Sequence, residues 1–345
     1  MWRLPILLAA LLPPSAFCQP YQPGKGPGAE SAPSAQLSPQ QKLSRYRHDQ
    51  INLLALRADA PSLVAAALLA RPDAKDSARP AVLKTPALLE RAQRLDPDNA
   101  LVWWVTAGVE CSAPGAGACP SAGTLQKLER LDPGNAAVWA LSLWRAQHEG
   151  NAPIARAALT SAAQAKHYDD YFGRLVTALY GAQAVLPMSS DLLLATGEQA
   201  NVAGYRLTRA AAVAVAAIPP ANKAVATACQ AATAQRRADC VAVAGAMSTS
   251  GSLITRRDGI GLLQSLLQPG PRLNAARARA RVLAWQMQQI GKLGNRLADD
   301  TRVSDVYLKA LQASAAEVDA VEAVLRSQGV ALHPPSTWQR GNAAR

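Results

Sequence analysis

The sequence predicts an all-α fold, an α-α superhelix of antiparallel helical hairpins, on three observations. The nine residues at 95–103 (LDPDNALVW) recur at 131–139 (LDPGNAAVW), 36 positions later, with seven identities. Repeats of that period are typical of stacked helical hairpins, which bury their apolar faces only against neighbouring hairpins. The composition is 49% hydrophobic and only 5% aromatic, and it is dominated by alanine, the best helix former. Strand-like alternation of apolar and polar residues is nearly absent.

Residues 1–18 have the features of a secretory signal peptide. Arg3 precedes a short apolar run that prolines end, and the small residues before Gln19 permit cleavage there. The run of about nine apolar residues is shorter than the ~20 that a membrane-spanning helix needs. We therefore expect a periplasmic or secreted protein. Lipid modification of Cys18 is the alternative interpretation, although the bulky Phe17 disfavours that chemistry.

The N-terminal helical region is predicted to cover residues 38–184. It follows a segment at 19–37 that is rich in Pro, Gly, Ser and Ala and predicts a flexible linker. Ser38 begins the fold, because a first-turn proline and a capping-box glutamine follow it. Asp169 and Asp170 are expected to cap a later helix. Helices are predicted at 39–58, 61–71, 85 to the first copy of the phrase, 152–166 and 169–184.

The C-terminal region, 185–332, is predicted to be a less regular set of helices. Consecutive prolines end its first helix, and Gly329 stops its last. An arginine series that begins at Arg272 and ends at Arg281 is interpreted as a solvated helix face. Residues 333–345 are predicted to be an irregular tail. The predicted helices are 190–218, a pair within 221–248, 252–267, 272–293 and 300–328.

The repeated phrase has a physical logic at each position. A proline that cannot continue a helix is followed by an asparagine that favours a turn. A tryptophan one turn into the next helix then anchors that helix against its neighbour. These residues are Pro97, Asn99 and Trp103 in the first copy and Pro133, Asn135 and Trp139 in the second.

This combination resembles the junction between repeats of the tetratricopeptide family, over about residues 85–168. The first copy departs from the family pattern, because an insertion bracketed by Cys111 and Cys119 replaces the usual turn. The resemblance implies a concave groove, lined by the first helix of each hairpin, that holds an extended peptide or a partner helix. After the second copy, the residues that match the family are Gly150, Ala155, Leu159 and Ala162.

Helical phase indicates which side chains would line such a groove. Trp103 and Trp139 fall on the packed stripe of their helices, whereas other aromatic residues fall on the neighbouring stripe. Aromatic anchors dominate protein interfaces, so that stripe is the predicted recognition surface. The alternative is that its tryptophans pack against the preceding hairpin. The candidate partner-binding residues are Trp104, Trp144, Arg145 and His148.

Four cysteines remain after the signal peptide, and an even number in an exported chain favours disulfides. Three connectivities exist, and proximity favours Cys111 with Cys119 and Cys229 with Cys240. On one continuous helix the latter two would lie ~16 Å apart, whereas a disulfide needs Cα atoms within ~7 Å. The chain must therefore reverse direction between them if they are bonded. No CxxC spacing indicates a zinc site.

No motif for a catalytic site, a metal or a cofactor is present, and the four histidines are scattered. We therefore expect a non-enzymatic envelope scaffold that binds a protein or peptide, whose identity the sequence does not give. One alternative is a lipid-anchored component of envelope assembly. Another is a helical enzyme acting on cell-wall glycan, which would need a buried carboxyl group with a shifted pKa. Glu90, Glu110 and Glu198 are the carboxyl groups considered for it.

The formal charge of +12 favours anionic partners. Lipid head groups and acidic glycans are the classes expected in an envelope, with weak affinity for an anionic surface. Export argues against nucleic acid as a partner. An arginine-rich proteome would explain the same charge without any partner.

Overall fold

A computed structural model shows an all-α fold, which confirms the predicted class. The structure describes residues 37–71, 84–113, 117–197, 201–230 and 233–339. The predicted signal peptide, the linker up to residue 36 and Glu198 lie outside these ranges. Within them there is no β-strand, only an isolated bridge between Asn135 and His167.

Seventeen α-helices lie in the described residues, and a 3-10 turn at Gln183–Val185 follows the eighth. The capping box predicted at Ser38 begins the first helix. In chain order the helices are α1 (Pro39–Leu56), α2 (Ala60–Leu69), α3 (Thr85–Leu95), α4 (Ala100–Ser112), α5 (Ala122–Leu131), α6 (Ala136–His148), α7 (Ala152–Gln164), α8 (Phe172–Ala182), α9 (Ser190–Ala195), α10 (Val202–Ala217), α11 (Ala221–Gln230), α12 (Ala234–Met247), α13 (Leu253–Leu266), α14 (Pro271–Lys292), α15 (Gly294–Asp299), α16 (Thr301–Ser314) and α17 (Glu317–Ser327).

Helices of the N-terminal region pack in consecutive pairs, α2 with α3, α4 with α5 and α6 with α7. Each copy of the repeated phrase joins one pair to the next, between α3 and α4 and between α5 and α6. Gly150 makes the tight turn from α6 to α7 with a φ of +66°, a conformation that favours glycine. On α7, Leu159 and Ala162 are buried and Ala155 is half-buried.

The tryptophans of the phrase are fixed by the turns that precede them. The indole Nε1 of Trp103 donates a hydrogen bond to the Pro97 carbonyl, and that of Trp139 donates to the Pro133 carbonyl, both at 2.8 Å. The asparagine side chain in each copy accepts from a backbone N–H of the following helix. Both copies therefore close the same local network, and the tryptophans belong to the scaffold.

The predicted helix at 190–218 is wrong, because the chain forms two helices there, α9 and α10. α9 ends before Gly197, which has a φ of +74°. The side chain of Asn201 then caps α10 by accepting from the Gly204 N–H at 2.8 Å. A left-handed glycine followed by an Asn cap is the usual way to end one helix and begin another.

The predicted helix at 300–328 is also two helices, α16 and α17, and the short α15 precedes them. The break falls at Ala315, whose φ is +57°. A Cβ added to Gly173 of α8 would lie 2.0 Å from the Ala315 carbonyl oxygen, so only glycine permits this approach. The Ser314 hydroxyl accepts from the Ala316 N–H and stabilises the break.

The inner face of the hairpins is covered by the chain's own helices, which corrects the expectation of an open groove there. α8 and α10 pack on α2, α10 packs on α4, and α11 packs on α6. The contact with α4 is close, since a Cβ on Gly108 would lie 2.0 Å from the Ala217 carbonyl oxygen. No single helix in the described ranges is long and apolar enough to span a membrane; only α10 and α11 together pass that test, with a 49° bend.

The tail is irregular over its described residues, 333–339, as predicted. It is nevertheless held on α14 by Arg281, whose Nη2 donates to the carbonyls of Pro335, Ser336 and Trp338. Arg281 is exposed, as predicted for the arginine series, and it also binds the tail.

Candidate binding cleft

Trp104 lies in the core, which corrects its assignment to a recognition surface. The side chain is 0% exposed, and its ring centroid lies 5.1 Å from that of Tyr171, which is equally buried. A side chain without exposed area offers nothing to a partner. Tyr171 follows α7 in the chain, so helical phase alone gave no sign that it would cover Trp104.

The other three predicted residues lie together near the C-terminal end of α6, and all three contact other groups of the protein. Trp144 is half-buried between the ring of His148, at 4.0 Å, and the Nζ of Lys223, at 5.4 Å. Arg145 pairs with Glu149 at 2.8 Å and donates to the Pro120 carbonyl at 2.8 Å. His148 is exposed. Trp144 thus contributes to the contact between α6 and α11.

Both cysteine pairs predicted from proximity lie at disulfide distance. The Cα atoms of Cys111 and Cys119 are 5.1 Å apart, and those of Cys229 and Cys240 are 5.6 Å apart. The second pair joins α11 to α12, so the predicted reversal of the chain between them is confirmed. Two such pairs are consistent with an oxidising location outside the cytoplasm.

A cleft of about 700 Å³ lies between the α6–α7 pair and the α11–α12 pair. Hydrogen bonds join its two sides at two places. Gln147 Nε2 donates to the Ala224 carbonyl at 3.1 Å, and Thr160 Oγ1 donates to Asp239 Oδ2 at 2.8 Å. The space between these two hydrogen bonds remains open because many of the lining side chains are small. The apolar lining residues are Leu143, Ala152, Ala155, Leu159 and Ala228.

The charged groups of this cleft are mainly positive. Arg156 of α7 and Arg236 of α12 line it, and neither forms an ion pair with any residue that the structure describes. The carboxylate of Asp239 also lines the cleft and accepts the hydrogen bond from Thr160, so the lining carries two positive charges and one negative charge. The cleft therefore offers two guanidinium groups to an anionic ligand.

The disulfide between α11 and α12 fixes one wall of the cleft. Two lining residues, Ala228 and Asp239, come directly before Cys229 and Cys240 in the chain. Cys240 is completely buried and Cys229 nearly so. The position of the α12 wall, which carries Arg236, thus depends on this bond.

Two carboxyl groups with raised pKa values meet at the beginning of α13. Asp170 is buried and accepts from Thr255 Oγ1 at 2.6 Å and from the Phe172 N–H at 3.1 Å. Burial raises its pKa, and these two hydrogen bonds oppose that shift. The Phe172 bond supplies the predicted cap at the start of α8, although the N-cap residue itself is Tyr171.

Glu317 is half-buried and accepts from the Leu253 N–H at 2.8 Å. Burial raises its pKa to about 7, although the hydrogen bond from Leu253 lowers it in part. Both carboxyls thus bind donors in the first turn of α13, Glu317 from a backbone N–H as a helix cap does and Asp170 from a side-chain hydroxyl. Glu110 has a similar role at α5, where it accepts from Ser121 and Thr124.

In the described part of the chain, no cluster of three or more His, Cys, Asp or Glu side chains is arranged to hold a metal. No protein-family model, curated protein or solved structure matches the chain.

Proposed function

We propose that this protein is an exported, non-enzymatic helical scaffold that binds a protein partner through the cleft between the α6–α7 and α11–α12 pairs. One observation carries the proposal. Arg156 and Arg236 line a cleft of about 700 Å³, and neither forms an ion pair with a described residue. Tetratricopeptide-like pairing over about 85–168 supplies one wall of the cleft.

The occupant that fits is a short acidic segment of a partner. Ala152, Ala155 and Ala228 supply the accessible apolar lining, and the two guanidinium groups complement carboxylates on the segment. Complementary charge also speeds the encounter between partners, and the formal charge of +12 acts in the same direction. The size of the cleft suits a few side chains of the segment.

The cellular location proposed for this scaffold is the periplasm or the exterior of the cell. Cysteine pairs at disulfide distance support an oxidising compartment, and the signal-like residues 1–18 support export.

Fluorescence anisotropy with labelled ten-residue peptides, one rich in Glu and one rich in Lys, tests the cleft. Wild type should bind the acidic peptide at least tenfold more tightly. The R156Q/R236Q variant should lose about tenfold of that affinity, since each exposed charge contact contributes on the order of 0.5–1 kcal/mol. The matched control, R277Q/R302Q, removes the same charge from exposed positions on α14 and α16.

Equal losses in the two variants would show that net charge alone attracts the peptide, which would contradict the cleft. Equal binding of both peptides by wild type would contradict the acidic occupant. Circular dichroism of both variants confirms that the helices are retained.

A further inference from the structure

Two tyrosines and two arginines meet where α1 faces α10. Tyr46 of α1 and Tyr205 of α10 are buried in one small apolar cluster. Arg206 and Arg209 follow on α10, and positions three and four apart lie on one helix face. The charges of both arginines act on the Tyr46 hydroxyl, which places the four groups in one neighbourhood.

Several polar atoms in this neighbourhood are buried and form no hydrogen bond with any residue that the structure describes. They are Gln50 Oε1, Tyr205 OH, Arg206 Nε and Arg209 Nη1. The Tyr205 hydroxyl lies close to the Arg209 guanidinium but forms no hydrogen bond of normal geometry with it. Buried polar atoms in folded proteins are nearly always satisfied, so several such atoms in one place are available to bind a ligand or water.

The surrounding atoms that face other helices are satisfied, which makes the pattern specific. The Tyr46 hydroxyl donates to the Leu186 carbonyl at 2.9 Å. Gln50 Nε2 donates to the Gln183 carbonyl at 3.1 Å, and only its Oε1 is left without a donor. Tyr46 and the Gln50 amide nitrogen thus bond to the chain around Gln183 and Leu186, whereas the atoms without a bond include donors from α10.

The charge at this place is positive and partly buried. Among the described residues, neither Arg206 nor Arg209 forms an ion pair. Burial lowers the pKa of Arg209, and the charge of neighbouring Arg47 lowers it further. A buried guanidinium without a counter-ion is unfavourable, and a bound anion would offset that cost.

We propose that this face of α1 and α10 binds a phosphate group. Three of the orphan atoms are donors (the Tyr205 hydroxyl, Arg206 Nε and Arg209 Nη1), and Gln50 Oε1 is an acceptor. A hydrogen phosphate or phosphate monoester offers several acceptor oxygens and one O–H donor, so it matches this set. A carboxylate accepts only and leaves Gln50 Oε1 unsatisfied.

Thermal unfolding of the full mature chain with inorganic phosphate tests the site. At 10 mM phosphate the Tm of wild type should rise by about 3 °C relative to chloride at equal ionic strength, because a ligand that binds only the native state stabilises it. The R206Q/R209Q variant should show no such rise. R277Q/R302Q, with the same loss of charge at exposed positions, should behave as wild type.

Y205F provides a variant that folds even if the double arginine variant does not. The hydroxyl it removes forms no hydrogen bond with the part of the chain that the structure describes, so the Tm without phosphate should not fall. Its phosphate affinity, measured by calorimetry, should drop about fivefold. An unchanged affinity in Y205F would overturn the proposal. Equal Tm rises in wild type and R206Q/R209Q, or an equal rise with acetate, would also overturn it.

Vesicles distinguish free phosphate from a lipid head group as the source. Co-sedimentation with phosphatidylglycerol vesicles, lost in R206Q/R209Q and absent with phosphatidylcholine, would identify a lipid phosphate. Phosphate-dependent stabilisation without co-sedimentation would identify a soluble phosphate compound. Both outcomes support the site and differ only in its ligand.

Discussion

The ring of Trp104 stacks against Tyr171 with 5.1 Å between the ring centroids, and both side chains are fully buried. Tyr171 lies immediately before α8 with a φ of +59°, a rare conformation for a residue other than glycine. Its hydroxyl donates to the carboxylate of Asp132 in the second copy of the phrase. This aromatic pair therefore joins α4, the start of α8 and a hairpin junction.

Replacement of Trp104 should destabilise the fold far more than replacement of Trp144. Removal of a fully buried indole leaves a cavity, so W104A should lower the free energy of unfolding by about 3–5 kcal/mol. W144A should cost about 1–2 kcal/mol, because Trp144 is only half-buried. Urea denaturation of both variants measures this difference. Similar losses would contradict the assignment of Trp104 to the core and of Trp144 to a half-buried position.

The two copies of the phrase offer a matched pair of asparagines. Asn99 contacts Asp96 and the Leu101 N–H. Asn135 makes the equivalent two hydrogen bonds and two more, with the backbone N–H and carbonyl of Asp169, at 2.9 Å each. N99A should therefore cost about 1 kcal/mol and N135A about 2–4 kcal/mol, because a buried backbone group loses its partner only in the second.

Urea denaturation measures both variants. An equal cost would mean that Asp169 does not depend on the Asn135 side chain.

Local signals predicted most of the N-terminal helices and both cysteine pairs. The capping box at Ser38, the turns of the phrase and the constraint on Cys229 and Cys240 all act over short stretches of chain, so the residues themselves reveal them. Gly197 and Asn201 likewise carry local stop and cap signals, although the prediction for 190–218 is one continuous helix.

Features that depend on distant contacts could not be predicted in this way. At the break, the Ala315 carbonyl lies close to Gly173, which is 142 positions earlier in the chain. The burial of Trp104 needs Tyr171, and the covering of the inner face needs α8, α10 and α11. The cleft and the phosphate-binding face arise from helices that are far apart in sequence, and no motif accompanies them.

Stability should depend on pH through Glu317, whose pKa is raised from 4.5 to about 7 by burial. Between these values the native state binds more protons than the unfolded chain, so this contribution is fully present below pH 4.5 and is lost as the pH rises through 7. E317Q keeps the acceptor for the Leu253 N–H without the charge. At pH 8 it should be more stable than wild type by about 1–2 kcal/mol, and at pH 4.5 equally stable.

The measurement is urea denaturation from pH 4.5 to pH 8. D319N, at an exposed residue two positions further along α17, is the control and should keep the wild-type slope. A slope in E317Q equal to that of wild type would assign the pH dependence to other groups, such as Asp170, whose pKa burial also raises.

The two disulfides should differ in their effect on the cleft. Their sequence separations are 8 and 11. Each disulfide should therefore stabilise the fold by about 2.5–3 kcal/mol, because it lowers the entropy of the unfolded chain. C229A/C240A also opens space in the core, because Cys229 and Cys240 are buried, and it should cost about 3–5 kcal/mol. C229A/C240A should weaken the binding of the acidic peptide severalfold, whereas C111A/C119A should leave its affinity unchanged. Peptide binding that survives C229A/C240A intact would place the binding site elsewhere.

The tail should be released by a single substitution on α14. Arg281 donates to three tail carbonyls at 2.8–3.1 Å, and its guanidinium lies 5.8 Å from the ring centroid of Trp338. Trp338 in turn donates to Gln288 at 3.0 Å and lines a cavity of about 410 Å³ between α13 and α14. R281A removes every one of the Arg281 contacts, and nothing else on α14 replaces them at those carbonyls among the described residues.

R281A should therefore raise the rate of chymotryptic cleavage after Trp338 at least fivefold, because a protease needs a locally unfolded segment. Global stability should change by no more than about 1–2 kcal/mol, since the tail carries few buried apolar groups. R277A, one turn earlier on the same helix and exposed, is the matched control and should be cleaved at the wild-type rate. Mass spectrometry of the cleaved products measures the rates. If R281A is cleaved no faster than R277A, the hydrogen bond of Trp338 to Gln288 and its packing against α14, rather than the arginine, hold the tail in place.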